Sequence, residues 1–281
     1  MLLSTAYDEL IDRALTEDLG SGDITTEATV EASARARAQA VARTPLVVCG
    51  GAVFCAVFRR IDPAIRCETA LADGSRAQAG ATLWSVAGPA RSILMGERVA
   101  LNLVQRMSGV ATLTRAFVDQ IPEGCCTRVA DTRKTAPGMR ALDRYAVRVG
   151  GGHNHRDNLS SAVLIKDNHI VAAGGIESAV RRARAFAPHT SRIEIEVDTL
   201  AQFDQALALG CEIIMLDNFA HDDMVEAVRR GRGRAILEVS GGVRLDRIRA
   251  LALAGVDVIS AGALTHSAPA ADIGLDMELD S

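Results

Sequence analysis

Aromatic side chains are scarce in this chain: one Trp, two Tyr and six Phe make up 3% of 281 residues, and the net charge is -4. A nucleic-acid surface needs a basic face with stacking rings, so no nucleic-acid partner is expected. No apolar run reaches the roughly 18 residues of a membrane helix. The opening MLLSTAYDELIDRAL carries acids where a secretion signal would have a basic region followed by an apolar one. The expectation is therefore a cytoplasmic chain without a membrane partner. Cysteine is present but unpatterned: Cys49, Cys55, Cys67, Cys125, Cys126 and Cys211 show no CxxC and no zinc spacing. The adjacent pair is poorly placed for a disulfide, so reduced, buried thiols are expected. Hydrophobic residues are plentiful, at 48%, enough for one large or two modest cores.

The organisation changes near residue 110. Residues 1 to 19 read as a helix with Leu10, Ile11, Ala14 and Leu15 on one side, ended by the turn Gly20, Ser21, Gly22, Asp23. Segments 34 to 42, 46 to 49 and 65 to 70 read as short strands of a mixed sheet. From Ile93 to Met107 the period becomes helical, with Ala100, Leu103, Val104 and Met107 on one stripe and Glu97, Arg98, Asn102 and Arg106 off it. Afterwards strands alternate with amphipathic helices, one striped by Ile176, Ala179, Val180 and Ala183, another by Leu200, Phe203 and Leu207. These observations predict domains at 1–110 and 111–267, with the tail 268–281 packing back on the first.

Alternating strand and helix predict a parallel sheet or barrel, whose ligands bind beyond the carboxyl ends of the strands. Six strands end in suitable residues. TRVAD runs into Thr132, Arg133 and Lys134; VLI into Lys166; IEIEV carries Glu194 and Glu196; IIML runs into Asp217; AILEV into Ser240, Gly241 and Gly242; VDVIS into Gly262. In IEIEV, alternation places Ile193, Ile195 and Val197 on one face and both glutamates on the other. In a barrel those glutamates face the lumen, with Arg133, Lys134 and Lys166 as counter-charges. The alternative is an edge strand with two solvated glutamates.

The run RVGGGHNHR puts three glycines before His153, Asn154, His155 and Arg156, a backbone suited to close approach of an anion. A metal pair of His153 and His155 lacks a third ligand at zinc spacing, so hydrogen-bonding histidines are the competing reading. SGG at 240 to 242 and SAGALTHS at 260 to 267 have the small residues of phosphate loops, although small residues also close ordinary turns.

Taken in order and spacing, EDLGSGDITTEAT, GERVALNLVQRMSGVAT, DTRKTAPGMRALDRYAV, GGGHNHR, VLIKDNHI, EIEV, IIMLDN, SGG and GALTHS resemble the quinolinate phosphoribosyltransferase family over nearly the whole chain. The resemblance implies an α/β fold: an open, TIM-like α/β barrel of about seven strands with an N-terminal mixed α/β sandwich domain. It implies transfer of phosphoribose from phosphoribosyl pyrophosphate to the ring nitrogen of quinolinate with loss of the 2-carboxylate. By similarity, Arg133, His155 and Arg156 hold the quinolinate carboxylates, and Arg98 reaches in from the partner of a homodimer or a higher oligomer of dimers. Lys134 and Lys166 contact pyrophosphate or developing charge. Glu196 and Asp217 serve the ribose, and magnesium through the substrate. Thr132, Ser240, Gly241, Gly242, Ala261 and Gly262 contact substrate, with His266 close by. Of these, Lys134, Lys166, Glu196 and Asp217 form the catalytic set. The one cofactor implied is Mg2+ carried by phosphoribosyl pyrophosphate; no organic cofactor is expected.

Three positions depart from the family pattern: Asp157, Ser161 and Val239. Asp157 adds a negative charge beside Arg156, either competing for it or lying in a surface turn. Two rivals stay open. One is a branch of the same fold found with molybdate transport; the other is a catalytically silent barrel that binds phosphorylated metabolites. The intact Lys134, Lys166, Glu196 and Asp217 set speaks against silence.

Overall fold

The computed structural model describes residues 2–280, and the chain divides into two units. The first comprises the residues up to Arg115, Thr135–Gly151, and those from Ser267 onward; the second comprises Ala116–Lys134 and Gly152–His266.

In the first unit, strands β1 (Arg35–Ala42), β2 (Leu46–Val47), β3 (Arg66–Thr69), β4 (Arg76–Ala77) and β5 (Thr82–Pro89) form where short segments alternate. β1 lies between β5 and the terminal strand Ile273–Leu279, and β3 extends the sheet beyond β5. All these pairings are antiparallel, so the mixed sheet expected for these strands does not form. The terminal strand pairs along β1 from Ala36–Leu279 to Ala42–Ile273. Trp84 is fully buried and stacks on Phe54 at 5.2 Å, which concentrates the few aromatics in one core.

The opening segment gives a 3-10 turn, Ser4–Ala6, and a helix, Asp8–Leu19. A second helix, Ile24–Thr29, follows the turn, and Asp23 caps it by accepting from the Thr26 amide at 3.0 Å. The expected helix at 93 to 107 extends over Ala90–Val118, and its stripe of Ala100, Leu103, Val104 and Met107 is buried. The helix Arg140–Val149, within the range 111–267 expected for the barrel domain, groups with the first unit. Its Asp143, fully buried, receives two bonds from Arg106, at 2.8 and 2.7 Å, and its Tyr145 hydroxyl donates to Asp73 at 2.8 Å. A buried carboxylate needs that pairing, and the pairing fixes where the helix belongs.

The second unit is built on β6 (Arg128–Ala130), β7 (Val163–Ile165), β8 (Ile193–Val197), β9 (Ile213–Asp217), β10 (Ile236–Ser240) and β11 (Val258–Ser260). All pair in parallel, and the sheet curls so that the last strand, β11, lies beside the first, β6. The place of a seventh strand holds a single bridge, Ala130 to His153. The ladder stops there for a local reason. After His153 donates to Val129 O at 2.8 Å, the His155 amide donates to the Asp131 carboxylate at 2.7 Å instead of to another backbone carbonyl. The barrel is thus open between this bridge and β7.

Candidate active site

Strand alternation sets the lining of this barrel. On β8, Ile193, Ile195 and Val197 are buried on one face, while Glu194 and Glu196 point to the other. The edge-strand alternative fails, since β8 lies between β7 and β9 and Glu194 is 4% exposed. Register places Glu196, Met215 and Glu238 side by side across β8, β9 and β10, with Asp217 and Ser240 one layer further toward the carboxyl ends.

A cavity of about 750 Å³ opens at those ends. Its cationic wall is Arg133, Lys134, Arg156 and Lys166, with His155 and His266; its acids are Glu196 and Asp217; its loop wall is Thr132, Ser240, Gly241, Gly242 and Gly262. A volume of this size fits one or two small polar ligands. Two residues of the expected set lie elsewhere. Ala261 is buried between lining neighbours, and Arg98 belongs to the first unit, in a separate hollow of about 370 Å³ with Asp18 and Asp23. Arg244 lines the cavity without having been expected there.

Lys166, Lys134 and Arg156 are each held by a local device. Lys166 ends β7, its ammonium is paired with Glu196, and its amide donates to His169 Nδ1 at 2.9 Å. The Lys134 amide donates to Thr132 Oγ1 at 3.1 Å, and the Lys134 carbonyl accepts from Thr265 Oγ1 at 2.8 Å, so both ends of that residue are pinned. Arg156 donates to the Ala162 carbonyl at 3.3 Å. Burial and then the nearby charge of Arg133 lower its pKa, whereas Glu194 raises it. Arg133 has a buried Nε without a hydrogen-bond partner. Two guanidiniums close enough to repel, one with an orphaned donor, form a site that an anion would complete.

The residue that shapes this wall is Asp131, fully buried at the end of β6. Its two oxygens accept from Asn154 Nδ2 at 2.6 Å and the His155 amide at 2.7 Å, so one carboxylate sets the path of the glycine-rich segment. Below the opening, His155 Nε2 lies 3.2 Å from Glu194 Oε1 and 3.5 Å from Glu238 Oε1, and its Nδ1 accepts from the Arg156 amide at 2.7 Å. Burial opposes a charged imidazole here, but the bond to Glu194 and the charges of Glu194 and Glu238 outweigh it, so the pKa of His155 is raised. Glu238, 3% exposed, has its pKa pushed up to about 7, first by burial and then by Glu194.

The loop wall needs glycine. Gly241 has φ +85°, and a Cβ there would sit 2.7 Å from the Asp217 and Asn218 side-chain oxygens. At Gly262 a Cβ would meet Lys134 Cδ at 2.9 Å. The departures from the family pattern lie outside this wall. Asp157 is exposed in a turn closed by Ser161, whose Oγ accepts the Asp157 amide at 3.0 Å, and Val239 is buried on the opposite face of β10 from Glu238. Asp131 and Glu238 were missed from sequence, although ILEVS alternates just as IEIEV does and thereby signals Glu238.

Comparison with known proteins agrees with this geometry. Residues 23–108 match the model of the quinolinate phosphoribosyl transferase N-terminal domain, and residues 110–276 match that of its C-terminal domain. The nicotinate-nucleotide pyrophosphorylase (carboxylating) of Mycobacterium leprae is 46% identical over 99% of this chain and 100% of its own. The probable enzyme of that name from Bacillus subtilis is 38% identical over 97% of this chain and 94% of its own. The crystal structure of NadC from Streptococcus pyogenes superposes with a TM-score of 0.95 at 37% identity, covering 100% of this chain and 99% of that one. That of the Ehrlichia chaffeensis nicotinate-nucleotide pyrophosphorylase does so with a TM-score of 0.92 at 41% identity, covering 97% and 98%. Matched by both domain models along nearly its whole length, the chain belongs to the quinolinate phosphoribosyltransferase family.

Proposed function

We infer that this chain is a carboxylating nicotinate-nucleotide pyrophosphorylase. It makes nicotinate mononucleotide, pyrophosphate and carbon dioxide from quinolinate and phosphoribosyl pyrophosphate in NAD biosynthesis. The observation that carries the reading is the cavity wall of Arg133, Lys134, His155, Arg156 and Lys166, since a dicarboxylate and a polyphosphorylated sugar together require such a cationic cluster. Arg133, His155 and Arg156 hold the quinolinate carboxylates, Arg133 through its orphaned Nε. Gly241, Gly242 and Gly262, with Ser240 and Thr132, give the phosphates access to backbone N–H groups, and His266 stands beside them.

Glu196 and Asp217 face the ribose, where carboxylates favour an oxocarbenium-like transition state. Lys166, paired with Glu196, and Lys134 face the departing pyrophosphate and the charge that develops on the pyridine ring. Glu196 and Asp217 are not part of a group of three close ligand-type side chains among the described residues, so they fit an ion that keeps its own waters and arrives with the substrate. Glu196 and Asp217 would hold such a magnesium ion through its waters, and it would supply charge neutralisation for the departing pyrophosphate. Losing carbon dioxide leaves an electron pair on carbon 2, which the quaternised adjacent nitrogen stabilises until a proton from solvent takes the place of the lost carboxylate, so transfer precedes decarboxylation. A carbon isotope effect at the 2-carboxylate, with trapping of the dicarboxylated nucleotide, supports that order, and free nicotinate as an intermediate overturns it.

The working unit is a homodimer, or an assembly of dimers, with Arg98 supplied across the interface; the location is cytoplasmic. Activity with quinolinate and none with nicotinate as acceptor is the expected result. Tight binding of phosphoribosyl pyrophosphate without turnover would favour the silent binder instead.

A further inference from the structure

Beneath the cationic wall lies a group that the reaction as described does not use. Glu238 is 3% exposed on β10, and its Oε1 has no hydrogen-bond partner. That oxygen lies 3.5 Å from His155 Nε2, which is already bonded to Glu194 Oε1 at 3.2 Å, and the three atoms all fall within 4.8 Å of one another. The groups facing this point from the other strands are Glu194 of β8, Lys166 at the end of β7, His155 of the glycine-rich segment with Arg156 next to it, and Ser260 of β11. The Ser260 hydroxyl is also buried without a partner at full hydrogen-bond distance, yet it stands near enough to Glu238 to favour the ionised carboxylate, against the burial and the Glu194 charge that favour the proton. Two buried carboxylates facing one imidazole are costly if both are charged, and the orphaned oxygen is where the arrangement fails to satisfy itself. A proton on Glu238 removes one charge and turns an unpaired acceptor into a donor.

We propose that Glu238 is a positioning residue that carries the exchangeable proton of the site: neutral when the carboxylates of quinolinate occupy the cavity above His155, and opposing their binding when it ionises. This rests on the assignment of His155 to the quinolinate subsite. A dianion entering a low-dielectric cavity raises the cost of any buried negative charge nearby, so binding and proton uptake are linked. The upward shift of the Glu238 pKa to about 7 places that exchange in the neutral range.

The test is calorimetric titration of quinolinate into the full-length protein without phosphoribosyl pyrophosphate, at pH 7.5, in two non-phosphate buffers of different ionisation enthalpy. Wild type takes up more than about half a proton per quinolinate bound, and its Kd rises by up to about tenfold per pH unit above neutrality. Glu238→Gln, which keeps the shape and cannot ionise, binds with uptake near zero and a flatter pH dependence. Binding by wild type without proton uptake, or equal uptake by Glu238→Gln, overturns the proposal. If Glu238→Gln does not fold, infrared difference spectra of wild type decide: binding must create a buried carboxylic-acid band, and its absence overturns the proposal. An Arg133→Ala titration separates the premise from the inference. Unchanged affinity there removes the subsite assignment itself, whereas lost affinity with no proton uptake in wild type removes only the role of Glu238.

Discussion

Lys166 shows how much of this site rests on single side chains. Its ammonium is the direct partner of Glu196, so removing it strips a cation from the cavity and leaves a carboxylate unpaired. Lys166→Ala is expected to lower kcat by about 10²- to 10³-fold, with a smaller change in the quinolinate KM, in steady-state assays. A change confined to KM would make Lys166 a binding residue only. Glu238 gives a second residue-scale expectation, in stability. Its pKa of about 7 in the folded chain exceeds the ordinary 4.5, so the folded state holds more protons than the unfolded state between those values. Stability from this group is therefore full below about pH 4.5 and is lost as pH rises through 7. The raised pKa of His155 acts in the same direction. Denaturant titrations should show Glu238→Gln gaining on wild type by on the order of 3 kcal/mol between pH 4.5 and 7.5. A constant difference across that range would mean that Glu238 does not carry the proton.

Elements are positioned by a few buried polar anchors, and these were the hardest features to read in the sequence. Strand ends and the alternation of IEIEV were legible because period-two patterns report faces directly. Glu238 has the same pattern in ILEVS but was passed over, since one acid in an apolar strand stands out less than two. Asp131 was read only as the end of a strand. Its partners, Asn154 and His155, lie more than twenty residues onward, and no local signal announces such a bond. Asp131→Ala leaves two N–H donors without their acceptor and is expected to cost about 2–4 kcal/mol in chemical denaturation and to raise the quinolinate KM. Loss of stability with an unchanged KM would show that the 153–156 segment keeps its shape without the anchor. Gly241→Ala places a Cβ against Asp217 at positive φ, and is expected to weaken phosphoribosyl pyrophosphate binding with a stability cost above about 1 kcal/mol. Unchanged binding would place the phosphate elsewhere.

For the whole molecule, the long motifs made the family legible, while the division of the chain was less so. A boundary near residue 110 follows from where alternation begins, but the helix Arg140–Val149 joins the first unit through Asp143 and Asp73, contacts that run far along the chain. The proposed assembly follows from the family resemblance at Arg98, which lines a hollow of the first unit with Asp18 and Asp23. Mixing inactive Arg98→Ala and Lys166→Ala proteins, with subunit exchange verified, should restore about a quarter of wild-type activity, since one site of each mixed dimer is intact. A mixture that stays inactive would remove Arg98 from the partner's site. The most direct test of the central claim is a single assay with quinolinate, phosphoribosyl pyrophosphate and magnesium that counts nicotinate mononucleotide and carbon dioxide together. The two products should appear in equal amounts from quinolinate, with no mononucleotide when nicotinate replaces it. A folded protein that binds phosphoribosyl pyrophosphate and releases neither product would contradict it.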